Sequence, residues 1–336
     1  MLLSEFDYNL TLDMIAQEPL AERDTSKLLV LHRDTEEIEH RRFCDITEYL
    51  RPGDLLVMNN TQVTALRLHG EKPTGAKVEA LMLRDLGHNR WDAMVKPGRR
   101  VDVGTTINFP DGLRADVVER TASGGRILDF GNAPGTDEAI RRHGEVPLPP
   151  YITTALGDAS RYQTVYAELP GSAAAPTAGF HFTPNLLSRI RGMGVETAFV
   201  TLHVGIATFR PVRTENIEEH EMHTERISIT ADAAEKINSN EGRIISVGTT
   251  SARALESAAV GKRKVAAFDG ETNIFIKPGY EFKILDGLIT NFHMPKSTLM
   301  VLVSAFAGRE LIMRAYQEAK EQNYRFLSFG DAMFII

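Results

Sequence analysis

Five short runs, AKVEALML (76–83), RWDAMVK (90–96), TTINF (105–109), LRADVVER (113–120) and GRILDF (125–130), decide how this chain is organised. Each is strand-like in composition, and Gly, Pro, Asn and Asp separate them at short intervals, the pattern of a small barrel or sandwich. A proline-rich passage follows, EVPLPPYI (145–152), whose Pro147, Pro149 and Pro150 forbid regular helix and favour an extended connector.

On either side of this region the pattern changes. KLLVLHR (27–33), EIEHRRF (37–43) and DLLVMNN (54–60) read as strands, with a helix expected at 45–50 before the Pro52-Gly53 breaker. In the second half helices are expected at 184–192, 231–239, 251–259 and 304–322. They alternate with strands at VETAFVTLHV (195–204), GRIISVG (242–248), NIFIKP (273–278) and KILDGLITNF (283–292). Such alternation predicts a parallel sheet crossed by helices. The expected fold is α/β: a large α/β domain built from both chain ends, residues 1–63 and 151–336, with an inserted small β-barrel domain and its proline-rich connector at 64–150.

The 336 residues are 43% hydrophobic and 25% charged, the make-up of a soluble globular protein long enough for two domains. The net charge of -7 argues against an extended nucleic-acid surface, because phosphate neutralisation by Lys and Arg supplies most non-specific affinity. Any RNA contact is expected to be local. Lys96, Arg99 and Arg100, the pair Arg141 and Arg142, and Lys262, Arg263 and Lys264 are basic spots, each taken alone best read as solvated surface. The single cysteine, Cys44, permits no intramolecular disulfide and no thiolate cluster, which suits a reducing compartment. Glu5, Asp7 and Asp13 interrupt any leader-like N-terminus, and the longest apolar run, 299–307, is too short for a bilayer. A cytoplasmic protein without membrane contact is expected.

Five of the ten histidines fall in segments that mix His, Thr, Gly and Pro: GSAAAPTAGFHFTP (171–184), TLHVGIATFRPV (201–212), EHEMHTE (219–225) and ITNFHMPKSTL (289–299). With VGTTSARALE (247–256) they look like loops at strand ends, where open α/β sheets bind ligands. VGTTSARALE follows the apolar RIISV, so Gly248, Thr249, Thr250 and Ser251 are expected at a strand-to-helix turn whose amides suit an anion, with Arg253 as a bidentate donor. A plain N-cap is the favoured alternative from this motif alone. His220 and His223, with His203 or His181, form a weak zinc pattern, since the spacing is not that of a metalloprotease helix. No dinucleotide fingerprint, phosphate loop or nucleophile elbow is present.

Nine segments resemble, in order, those of the S-adenosylmethionine:tRNA ribosyltransferase-isomerase family of queuosine biosynthesis. They are AQEPLAERDTSKLLVLHR, EVPLPPYI, RYQTVYA, APTAGFHFTP, TLHVGIATFRPV, EHEMHTE, VGTTSARALE, GLITNFHMPKSTLMVLVSAFAG and YRFLSFGDAM. The resemblance implies an α/β domain with an inserted β-barrel. It also implies transfer of the ribosyl part of S-adenosylmethionine to 7-aminomethyl-7-deazaguanine at the tRNA wobble position, giving epoxyqueuosine and releasing adenine and methionine. S-adenosylmethionine is then a consumed substrate, and no metal, nucleotide cofactor or obligate protein partner is implied; a monomer is expected. The chain departs from the family pattern at Asn60, Gln62, Ala65, Leu66 and Ala207.

The sulfonium acidifies the neighbouring ribose 5' carbon, so the chemistry requires a base there and an acid near the departing adenine. His181, His203, His223 and His293, then Asp331, are the expected pool. Thr249, Thr250 and Arg253 are candidates for the methionine carboxylate. Asn291, Ser297 and Thr298 are candidates for adenine or ribose, and Pro176, Thr177 and Gly179 for the pocket floor. Arg161, Tyr162 and Gln163 are candidates for the modified base or its phosphates, with core packing the equal alternative for Tyr162. A methyltransferase is disfavoured by the missing glycine-rich loop, and a non-catalytic RNA-binding module by the net charge.

Overall fold

Leu55–Asn59, Ile244–Val247 and Gly287–Asn291 are buried at every position, as strands covered on both faces must be. They lie at the centre of a nine-stranded sheet. The computed structural model describes residues 1–122, 124–132, 135–205, 212 and 214–336. It divides into two compact units, one of residues 1–61, 150–169 and 175–336, the other of 62–149 and 170–174.

The sheet of the first unit consists of β1 (Lys27–Leu31), β2 (Ile38–Arg42), β3 (Leu55–Asn59), β4 (Glu196–His203), β5 (Glu225–Ile229), β6 (Ile244–Val247), β7 (Phe268–Thr272), β8 (Gly287–Asn291) and β9 (Ala332–Ile335). Its order is β7-β5-β4-β3-β6-β8-β9-β1-β2. Strands β4, β3, β6 and β8 are parallel neighbours. The centre of the sheet is parallel as expected, while the outer strands are mixed: β9 runs antiparallel to β8, β2 to β1, and β5 to β4.

Alternate residues of the strands feed two cores. Leu28, Val30, Ile289 and Phe334 pack on one side with Leu186, Leu187 and Ile190 of helix α1 (Pro184–Gly192). Leu29, Leu31, Leu288 and Met333 pack on the other with residues of two C-terminal helices. This period of two is what a sheet buried on both faces demands. Helix α1 begins where Thr183 Oγ1 accepts the Leu186 N–H at 3.1 Å and Pro184 fills the first helical position. Helix α2 (Ala231–Ser239) has the same device in Thr230, and α3 (Thr249–Ser257) starts at Gly248.

The single helix expected at 304–322 is two helices, α4 (Thr298–Ala307) and α5 (Arg309–Glu321), broken at Gly308 with φ 88 and ψ 135. The expected helix at 45–50 is a short 3-10 turn, Phe43–Glu48. NIFIKP forms no strand: Ile276 is buried in the core beside α4 and α5, so burial and not sheet pairing produced its apolar pattern. Edge strand β7 lies just before it.

In the second unit Arg126–Asp129, Arg90–Lys96, Lys77–Gly87, Leu66–Glu71, Thr106–Asn108 and Arg114–Arg120 close a six-stranded barrel in that order. Leu68, Val78, Ala80, Met82, Ala93, Ile107, Val117 and Leu128 fill it, with Ile140 from a helix, Thr136–His143, that the sequence reading did not anticipate. The fold is therefore the expected α/β domain drawn from both chain ends, carrying a small β-barrel. No helix among the described residues is long and apolar enough to cross a membrane.

Gly308 tests the helix break cleanly, because a Cβ there would meet no atom within 4 Å and only the backbone objects. Gly308→Ala is expected to lower unfolding free energy by about 1–3 kcal/mol. Urea denaturation with an unchanged m-value checks it; an unchanged midpoint would mean that the break carries no strain.

Candidate functional site

Because β4, β3, β6 and β8 are parallel and paired in register, their carboxyl ends share one edge of the sheet. Val200 stands opposite Asn59, Met58 opposite Val247, and Val247 opposite Ile289. The reversed strands β5, β9 and β1 start at that edge, bringing Glu225, Asp331 and Ser26 to it. Loops from nearly the whole length of the chain are thus gathered where α/β sheets bind ligands.

Two polar clusters form there. In the first, Asn291 at the end of β8 uses its whole carboxamide: Oδ1 accepts from Thr177 Oγ1 at 3.0 Å, while Nδ2 donates to His181 Nε2 at 3.1 Å and to the Leu327 carbonyl at 3.2 Å. Since His181 Nε2 accepts, its proton sits on Nδ1, which donates to Ser26 Oγ at 2.7 Å. The ring stacks on Phe43 with centroids 4.9 Å apart. Burial pushes the His181 imidazole down to about 3, helped by the Arg325 and Arg23 guanidiniums, so it stays neutral at pH 7. The Thr177–His181 turn also meets the start of α3: a Cβ on Gly248, whose φ is 89, would lie 3.5 Å from the Ala178 methyl. Pro176 and Gly179 are buried here as well.

In the second cluster His203, at the end of β4, is half-buried and bonds Thr61 Oγ1 through Nδ1 at 2.8 Å, leaving Nε2 without a partner among the described residues. Burial, then Arg226, lowers its pKa. Next to β4, Glu225 accepts the Gly205 N–H at 3.1 Å and forms a buried ion pair with Nη1 of Arg253 from α3. Among the described residues Nε and Nη2 of Arg253 have no hydrogen-bond partner, although its side chain is only 6% exposed. Thr250 Oγ1 is buried and likewise has no partner among the described residues. Thr249 and Thr250 occupy the first turn of α3, where amide groups have no carbonyl within the helix.

Other expected residues have structural employment. Ser297 caps α4, accepting from Met300 N at 3.1 Å and donating to the Met294 carbonyl at 2.7 Å, with Thr298 first in the helix. Tyr162 is fully buried between Phe180 and Phe329, so the base-stacking expectation gives way to core packing. Arg161 holds the carbonyls of Leu20 and Ala21, and the Gln163 carbonyl accepts from Arg23 at 2.7 Å. Asp331 is 2% exposed and accepts the Lys27 and Arg325 amides at 3.0 and 2.7 Å; burial raises its pKa. His293 is buried, bonded to Thr290 Oγ1 at 2.8 Å and pushed down to about 3 by burial. His223 is exposed, two residues before β5.

Asn60 accepts from Thr201 Oγ1 at 2.7 Å and donates to Glu168 at 3.1 Å, a donation no carboxylate could make. Ala207 lies outside the described residues. Among the described residues no three His, Cys, Asp or Glu side chains converge in a metal-binding group. Ser26, Phe43, Thr61 and Glu225 were not singled out from sequence. Ser26, Phe43 and Glu225 stand within quoted segments, but nothing in their spacing shows their partners.

The two neutral histidines set an acid limit on stability. Unfolded, each takes up a proton near the ordinary imidazole value of 6.5; folded, only near 3. The unfolded state therefore binds more protons, and the stability they permit is complete above about pH 6.5 and lost as pH falls from there. Each is expected to contribute up to about 1.4 kcal/mol per pH unit below that point. Urea unfolding of His293→Gln between pH 6.5 and 5 should show a shallower slope than the parent; identical slopes would refute a neutral buried His293.

The family model described as "Queuosine biosynthesis protein" matches residues 3–335. The chain is 54% identical over 341 residues to the S-adenosylmethionine:tRNA ribosyltransferase-isomerase of Pelotomaculum thermopropionicum and 52% identical over 341 residues to that of Halothermothrix orenii, covering 100% of both chains in each case. It is also similar to the crystal structure of S-adenosylmethionine tRNA ribosyltransferase from Thermotoga maritima, with 38% identity, a TM-score of 0.56 and coverage of 99% of this chain and 100% of that one. With its whole length matched and its strand-end motifs gathered on one edge of the sheet, the chain belongs to the queuosine biosynthesis protein family.

Proposed function

We propose that this protein is an S-adenosylmethionine:tRNA ribosyltransferase-isomerase acting on tRNA that carries 7-aminomethyl-7-deazaguanine at the wobble position. It moves the ribosyl moiety of S-adenosylmethionine onto the aminomethyl group, giving epoxyqueuosine and releasing adenine and methionine. The observation that carries this reading is identity above 50% along the full length of relatives with that name. S-adenosylmethionine is consumed, no metal or other cofactor takes part, and the reaction runs in the cytoplasm without a protein partner.

The geometry favours a division of labour among the expected residues. His203 is the preferred acid or base, because its Nε2 is unpartnered and its ring only half-buried, and the exposed His223 is the second choice. His181 and His293, neutral and hydrogen-bonded, serve as donors or acceptors of fixed orientation. The methionine carboxylate is assigned to the first turn of α3 with Thr249, Thr250 and the unpartnered N–H groups of Arg253. Glu225 keeps that guanidinium compensated, so Arg253→Ala would leave a buried carboxylate alone at a cost of about 3–5 kcal/mol. Thr177, with Pro176 and Gly179 beside it, faces ribose or adenine, and the saturated Asn291 holds it in place. Arg161, Tyr162 and Gln163 support the site from below and do not touch the base.

Incubation with S-adenosylmethionine and tRNA bearing the aminomethyl-deazaguanine tests the activity: adenine and methionine should appear, and the nucleoside should gain the ribosyl-derived mass. Unconsumed S-adenosylmethionine would sink the assignment. In single-turnover assays His203→Ala should slow the reaction about 10²–10⁴-fold with unchanged circular dichroism. A near-parent rate would move the proton transfer to another group.

A further inference from the structure

The barrel carries a second charged site outside the sheet edge. Its strand register brings two turns to one end: Glu71 pairs with Lys77 across the first hairpin, and Glu79 pairs with Lys96 across the next. The segments 70–77 and 96–101 hold five cations, Lys72, Lys77, Lys96, Arg99 and Arg100, against one carboxylate, Glu71, in a chain whose net charge is -7. Lys77 is matched by Glu71 at 2.8 Å and Lys96 by Glu79 at 3.5 Å. Lys72, Arg99 and Arg100 have no carboxylate partner among the described residues. Arg99 and Arg100 are exposed, and the Lys72 ammonium donates to the Arg100 carbonyl, tying the two turns together.

The turn is held from beneath by another cation. Arg126, only 5% exposed, donates from Nη2 to the Gly98 carbonyl at 2.8 Å and from Nε to the Val101 carbonyl at 2.8 Å, gripping both ends of the Arg99-Arg100 turn. Its remaining bonds go to the Gly124 and Gly125 carbonyls at 3.0 and 2.8 Å, so among the described residues no carboxylate hydrogen-bonds to this charge, although Asp102 lies near enough to feel it. Between the turns lies a cavity of about 640 Å³ lined by Lys72, Thr74, Ala76, Lys77, Pro97 and Arg100. The lining has no aromatic ring on which a base could stack.

We propose that this cleft and its rim bind the phosphodiester backbone of the tRNA substrate, neutralising two or more phosphates without reading their bases. The proposal rests on the functional reading above for the identity of the RNA. Guanidinium forks and an ammonium suit phosphate oxygens, a turn fixed by Arg126 presents them without an ordering cost, and the missing stacking surface excludes base readout. The residues gather an excess of positive charge in one place in a chain whose net charge is -7.

The test is tRNA binding by fluorescence anisotropy over a salt series, with the full-length protein and the double variant Arg99→Glu/Arg100→Glu. The slope of log affinity against log salt should fall by about two. KM for tRNA should rise about tenfold or more, with kcat and S-adenosylmethionine binding unchanged. Arg141→Glu/Arg142→Glu makes the same change of net charge on the barrel's helix and should leave the slope near the parent value. Equal slopes in parent and Arg99→Glu/Arg100→Glu, or an equal loss in both double variants, would overturn the proposal. A parent that binds tRNA through these arginines yet leaves S-adenosylmethionine intact would uphold the cleft and refute the assigned reaction.

Discussion

The shared direction of β4, β3, β6 and β8, which brings their carboxyl ends to one edge of the sheet, is the constraint on which the candidate site depends. Parallel pairing aligns Asn59, His203, Val247 and Asn291 at one edge, and every loop leaving those strands begins there. The reversed strands on either side complete the ring by starting at the same edge, so Ser26, Glu225 and Asp331 join it from distant parts of the chain. Shifting a central strand by one residue would turn its core face outward and carry its terminal polar residue away from the others.

Fixed neutral groups dominate this edge. Asn291 is saturated, His181 and His293 stay uncharged, and the Asp331 carboxylate is occupied by two amides. The Arg253 guanidinium is compensated by Glu225. On the reading proposed above, the substrate brings a sulfonium cation, and imidazoles that remain neutral do not repel it. Polar groups already held in place also need little rearrangement when charge develops.

Much of the architecture was legible because it depends on local patterns. The prolines at 147–150 and the short runs between 76 and 130 marked a region unlike its flanks, and the helices expected at 184–192 and 231–239 lie where they were placed. Apolar periodicity failed where burial arises without regular structure: Ile276 sits in a core from a loop, and Gly308 divides one periodic run into two helices. At the site, the motifs pointed to the right loops, but the roles within them depend on partners far away in sequence. Arg253 reads from sequence as an anion fork with no sign of the Glu225 carboxylate beside it, and Tyr162 reads equally as stacking platform or core residue, a choice made only by Phe180 and Phe329 enclosing it. Such pairings join residues tens to hundreds of positions apart, which no short window contains.

The position of β9 between β8 and β1 also governs the order in which the chain can mature during synthesis. Strands β1 and β2 leave the ribosome early, yet among the described residues they join the sheet through Ala332–Ile335, which pair with Leu28 to Leu31 from about 300 positions further along the chain. The barrel, whose strands all lie between residues 66 and 129, has its partners in hand much sooner. Translation therefore delivers a completed insertion into an unfinished host, and the first hairpin must wait, with Leu28 to Leu31 uncovered, for nearly the whole chain. A nascent chain in that state presents an apolar strand edge, the kind of surface that chaperones shield and aggregation exploits.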